Sequence, residues 1–107
     1  MVVTLGERGA LAASHDGTMV YHPGFAVELV DPLGSGDAFT AGFVHALLRG
    51  RPLSAACRYG NALGAMVARQ EGATQAIDPA EVQPFAASAS WGPLEESLSS
   101  YLVSETG

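Results

Sequence analysis

The sequence predicts an α/β fold, and three observations carry that reading. Two short apolar runs rich in β-branched residues, Met1 to Leu5 and Phe25 to Val30, have the length and composition of strands. Downstream, Phe39, Phe43, Ala46 and Leu47 recur at helical spacing. Between the second run and that helix stands Gly34-Ser35-Gly36, a tight glycine turn of the kind that joins a strand to a helix.

Each element follows in order. Met1 to Leu5 reads as a buried strand, and Gly6 to Gly9 punctuates it. Leu11 to Ser14 and Thr18 to Tyr21 flank His15-Asp16-Gly17, and Asp-Gly between such runs predicts a β-hairpin. Pro23-Gly24 breaks the chain before the strand at 25–30. The first helix runs from about Gly36 to Arg49, with Gly50 as its C-terminal cap and Pro52 just beyond. Ser54 can cap a second helix reaching about Gln70. Ala56, Gly60, Gly64 and Ala68 recur every fourth residue on it, a ridge of small side chains that predicts close packing. Asp78-Pro79-Ala80-Glu81 opens a short final helix ending near Phe85. The segment 86–107 is rich in Ser and Ala and carries no motif, although Leu94, Leu98, Tyr101 and Leu102 could form a short amphipathic helix.

Composition sets limits. The 107 residues suffice for one small domain, and 48% hydrophobic against 15% charged residues predicts a packed core. Five basic against eleven acidic residues give a net charge of −6, so nucleic acid is not an expected partner. All five basic residues are arginine, which excludes a P-loop with its phosphate-binding lysine. Cys57 is alone, so no internal disulfide forms, and a reducing cytoplasm is the expected location. No apolar run reaches membrane-spanning length. His15, His22 and His45 lack metal-ligand spacing and are expected at surface or turn positions.

The glycine turn is the candidate site. Amide N–H groups at a helix start lack intrahelical partners and lie at the positive end of the helix dipole, an arrangement suited to phosphate. Asp37 stands beside it. A carboxylate repels phosphate, so its placement there points to a base that takes a proton from an attacking hydroxyl.

Asp31-Pro32-Leu33-Gly34-Ser35-Gly36-Asp37-Ala38-Phe39-Thr40-Ala41-Gly42-Phe43 resembles the second signature of the PfkB family of carbohydrate kinases, with Pro32, Leu33 and Ser35 as departures. Thr4-Leu5-Gly6-Glu7-Arg8-Gly9 resembles the glycine turn that borders the nucleotide in the same family. The resemblance implies the C-terminal portion of a ribokinase-like three-layer α/β/α domain. Residues 1–85 would form an incomplete nucleotide-binding and catalytic portion, and the sugar-binding half would lie outside these residues. It implies transfer of the ATP γ-phosphoryl group to a hydroxyl of a sugar or sugar acid. Asp37 would be the base, and Gly34, Ser35 and Gly36 the anion hole. Thr4, Gly6, Gly9, Gly36 and Asn61 would lie along the nucleotide. Mg²⁺ would accompany ATP, and Asp31, Leu33, Val67 and Gly72 would surround a monovalent cation such as K⁺. The expected partners are ATP, the sugar substrate and a second copy of the chain, with neither nucleic acid nor membrane among them. Two alternatives stay open. One is a nucleotide-binding or interaction fragment without turnover. The other is a serine hydrolase built on Ser35, although Gly-Ser-Gly lacks the Gly-x-Ser-x-Gly spacing.

Overall fold

The computed structural model describes residues 1–28, 30, 34–70 and 77–103. Three strands, β1 (Val2–Thr4), β2 (Ala10–Ala13) and β3 (Met19–His22), form an antiparallel sheet in the order β1-β2-β3. The hairpin forms where Asp-Gly predicts it. Gly17 adopts φ 88°, and Asp16 Oδ1 accepts hydrogen bonds from the Ser14 hydroxyl and from the Thr18 amide at 2.9 Å. Those bonds hold the Asp16 carboxyl down at about 2. β1 is less buried than its apolar composition predicts. It lies at the sheet edge with Val3 43% exposed.

The helices follow the sequence closely: α1 spans Ser35–Leu48, α2 Leu53–Ala68 and α3 Val82–Ser88. Gly50 closes α1 at φ 75°. α2 starts on Pro52 without a side-chain cap, so Ser54 is not its cap. Asp78 caps the 3₁₀ turn Pro79–Glu81 by accepting from Ala80 N at 2.9 Å, and that turn leads into α3.

The small-residue ridge performs the packing role assigned to it. A Cβ at Gly60 would stand 2.9 Å from the Phe39 ring and carbonyl, and one at Gly64 would stand 3.1 Å from the Ser35 carbonyl. α2 therefore packs directly on the backbone of α1. Two apolar clusters lie on either side of it. Ala10, Ala12, Phe39, Phe43, Ala46, Ala56 and Cys57 join the sheet, α1 and α2. Phe25, Ala62, Met66, Val82, Phe85 and Ala86 join α2 to α3. Burial pushes the Cys57 thiol up to about 12.

Three expectations need correction. The segment 25–30, of which Leu29 lies outside the described residues, forms no strand. Phe25 makes one isolated bridge with Trp91, Ala26 N donates to Ser90 O at 2.7 Å, and Val30 N donates to Ala68 O at 3.0 Å. The amides of Ala26 and Val30 go to two different elements, the segment before Trp91 and α2, so the pairing stops at one bridge. The helix expected around Leu94–Leu102 is a 3₁₀ helix at Glu96–Tyr101. His22 is not at the surface: it is 3% exposed.

Residues 89–103 are laced to the body. Arg8 donates to Leu94 O at 2.5 Å, the Tyr21 hydroxyl donates to Arg8 O at 2.5 Å, and that same hydroxyl oxygen accepts from Glu95 N at 2.9 Å. Leu102 bridges Tyr21 on the outer edge of β3.

Candidate active site

β1 delivers Thr4 to a single 3₁₀ turn, Gly6–Arg8, whose flanking glycines both hold positive φ, 59° at Gly6 and 100° at Gly9. Gly9 admits no side chain, because a Cβ would collide with the His22 carbonyl and come 2.7 Å from Gly24 N. The second turn is built at Gly34, which caps α1 in the left-handed conformation at φ 81°. The first helical hydrogen bond then runs from Ala38 N to Gly34 O at 2.9 Å. The amides of Gly36 and Asp37 accordingly have no intrahelical acceptor and lie at the positive end of α1. Positive φ belongs to Gly34, and Gly36 is ordinary helix.

Both turns open onto one cavity of about 440 Å³. Thr4, Gly6 and Gly9 line one side, Ser35 and Gly36 another, and Asn61 comes from α2. The chain thus brings together all the residues that the resemblance assigns to the nucleotide. Its size lies in the range of about 300–1,000 Å³ usual for small-molecule sites. Asp37 follows the lining pair directly and is exposed, and its carboxylate makes no hydrogen bond with the described residues.

Asn61 is 9% exposed, and its side-chain amide donates to His22 O at 3.0 Å and to Pro23 O at 3.1 Å. The donors that would reach a base edge are therefore directed at the chain's own backbone. Of the expected cation set, Asp31, Leu33 and Gly72 lie outside the described residues. Val67 O accepts from Gln70 N at 3.0 Å. Among the described residues no cluster of three or more His, Cys, Asp or Glu could hold a metal ion, and no helix is long and apolar enough to cross a membrane.

Sequence reasoning missed much of the cavity wall, including Gly24, Phe25, Ala26 and Val27, and it missed the burial of His22. Pro93 lines the cavity from a segment read as motif-free. His22 is buried against Phe25 and Trp91, with ring centroids 5.6 and 5.9 Å away. No local signal marks either, since their partners come from distant parts of the chain.

Comparison with known proteins identifies the family. The family model of pfkB family carbohydrate kinases matches residues 1–80. The chain belongs to that family. The 2-dehydro-3-deoxygalactonokinase of Haloferax volcanii is 41% identical over 83 residues, which cover 78% of this chain and 26% of that protein. The nucleoside kinase of Burkholderia thailandensis, solved with inosine, superposes with a TM-score of 0.74 at 31% identity, over 82% of this chain and 29% of that one. A ribokinase II of E. coli, solved with ATP and Mg²⁺, gives 0.72 at 28% identity, over 78% of this chain and 27% of that one. The chain therefore has the ribokinase-type fold over most of its length, and it spans about a quarter of the length of these relatives.

Proposed function

We propose that this chain is the ATP-binding, base-carrying portion of a carbohydrate kinase that phosphorylates a hydroxyl of a sugar or sugar acid. The observation that carries the reading is the convergence of two distant glycine motifs on one cavity, with an exposed carboxylate, Asp37, beside it. The cavity fits a nucleotide because both turns contribute glycines to its wall, where a ligand can approach the backbone closely. Mg²⁺ would be held mainly by the ATP phosphates and water.

When bound, ATP and Mg²⁺ supply the γ-phosphoryl group and neutralise part of its charge. Asp37 takes the proton of the attacking hydroxyl at its carboxylate. The Gly36 and Asp37 amides donate hydrogen bonds toward the oxygens on which charge gathers in the transition state. The small-residue contact of α2 on α1 keeps those donors in place before substrate arrives. The Haloferax relative's name favours a sugar acid within the substrate class. K⁺ beside the turn and a cytoplasmic location complete the reading.

The test is Asp37→Asn in the kinase. Turnover should fall by roughly 10²–10⁴-fold, the usual contribution of a general base, with ATP affinity nearly unchanged. Wild-type turnover in that variant would sink the assignment. ATP binding without turnover in the wild type, across sugars and sugar acids, would favour a nucleotide-binding role alone.

A further inference from the structure

We propose that His22 and Asn61 are a positioning pair that holds the Pro23–Gly24 turn, and with it one wall of the cavity, in its binding geometry. The inference rests on reading that cavity as the nucleotide site.

The donors of Asn61 are fully used. Asn61 has two amide hydrogens, and two carbonyls stand within reach of Nδ2: His22 O at 3.0 Å and Pro23 O at 3.1 Å. His22 Nδ1 lies 2.7 Å from Pro23 O and 3.2 Å from Asn61 Nδ2. A carbonyl can only accept, so the short contact requires the proton on Nδ1. Both Asn61 hydrogens then go to the carbonyls, and the 3.2 Å approach is a consequence of that convergence rather than a bond. His22 is therefore the Nδ1–H tautomer, with Nε2 bare. Pro23 O accepts from both side chains, and the ring and the amide grip one peptide from two elements.

What they grip is the cavity wall. Gly24, Phe25, Ala26 and Val27 line the cavity, and Gly9, on its opposite turn, packs so tightly on the His22 carbonyl that no side chain fits between. Gly24 O is fixed further by Gly92 N at 2.6 Å. Movement of the 22–24 backbone would therefore shift two sides of the cavity together. Asn61 acts on the nucleotide through this backbone. Both of its donors are used, which leaves none for the base.

The experiment compares Asn61→Leu, His22→Phe and His22→Asn with wild type. The asparagine amide nitrogen falls close to the Nδ1 position, so His22→Asn keeps the donor, and His22→Phe keeps the ring but loses it. Titration with a non-hydrolysable ATP analogue should show at least tenfold weaker binding for Asn61→Leu and His22→Phe in folded protein, with recovery to within about threefold in His22→Asn. Wild-type affinity in folded Asn61→Leu, or equal losses in both His22 variants, would overturn the proposal. Nitrogen-15 NMR of the wild-type His22 ring supplies a readout independent of nucleotide and of mutant folding. The Nδ1–H tautomer is expected, and an Nε2–H tautomer refutes the pairing. A wild type that binds no analogue defeats the nucleotide reading, and the tautomer still tests the pair.

Discussion

Gly36 is where fold and function separate most cleanly. A Cβ at this position meets no atom of the described residues within 4 Å, and its φ is not positive. The fold gives no reason for glycine here, and alanine should recover part of the ~0.5–1 kcal/mol by which glycine weakens a helix. For a domain of this size that corresponds to a rise in Tm of about 2–5 °C. Gly36 nevertheless lines the cavity, beside amides that have no helical acceptor. A methyl group there keeps phosphate off the backbone. Losing one hydrogen bond to a charged group costs roughly 1.5–3 kcal/mol, about ten- to a hundredfold in Kd. Gly36→Ala should therefore raise Tm without ligand, weaken ATP in calorimetry and shrink the Tm rise that ATP produces. A folded Gly36→Ala protein with wild-type ATP affinity would refute the anion site. A loss of affinity accompanied by a fall in Tm would refute the claim that the glycine is there for the ligand alone.

The packing glycines should behave in the opposite way. Gly60→Ala drives a methyl group against the Phe39 ring and carbonyl and should destabilise the chain by about 1–3 kcal/mol in urea unfolding. Burial, and then the nearby positive Arg58, lower the His22 imidazole from its ordinary 6.5. The unfolded chain then takes up that proton first, so this contribution to stability is present above pH 6.5 and is lost as pH falls toward the folded value. The urea midpoint should drop below pH 6.5 in wild type and less in His22→Asn. Buried Cys57, its thiol held up to about 12, should react with an aromatic disulfide reagent orders of magnitude more slowly in native than in unfolded protein. Val3→Lys on the open edge of β1 should reduce any concentration-dependent association seen by light scattering.

The parts legible in the sequence are those encoded locally. Asp16-Gly17 specifies its hairpin through bonds spanning two residues, and Gly34-Ser35-Gly36 marks the start of α1 within one turn. The spacing Ala56, Gly60, Gly64, Ala68 announces a close contact, although not that Phe39 and Ser35 would be on the other side. What stayed hidden is nonlocal. Phe25 to Val30 has strand composition, yet whether it joins a ladder depends on what its amides meet, and they meet Ser90 and Ala68. The segment at 89–103 docks largely through backbone groups such as Gly92 N and Val103 N, which no side-chain pattern records. His22 continues from buried Tyr21 against the alternation of a half-exposed strand, because Asn61 and Trp91 cover it from elsewhere.

The same contacts explain why the site can be rigid on a small scaffold. The proposed anion hole of backbone amides would be only as well placed as the turn that presents them, and a glycine turn left alone samples many conformations. Here each turn is confined from outside. Gly64 presses on the Ser35 carbonyl at the head of α1, so the small-residue ridge fixes the helix start as well as the helix spacing. Gly9 presses on the His22 carbonyl, which Asn61 holds from α2. α2 thus touches both turns, at Gly64 and at Asn61, four residues after Gly60 and one residue after it. Neither position can be exchanged for a larger or apolar residue without moving one wall relative to the other. A helix with no candidate catalytic residue therefore sets the distance between the two halves of the cavity, and substitutions along its inner face should change nucleotide affinity before they unfold the protein.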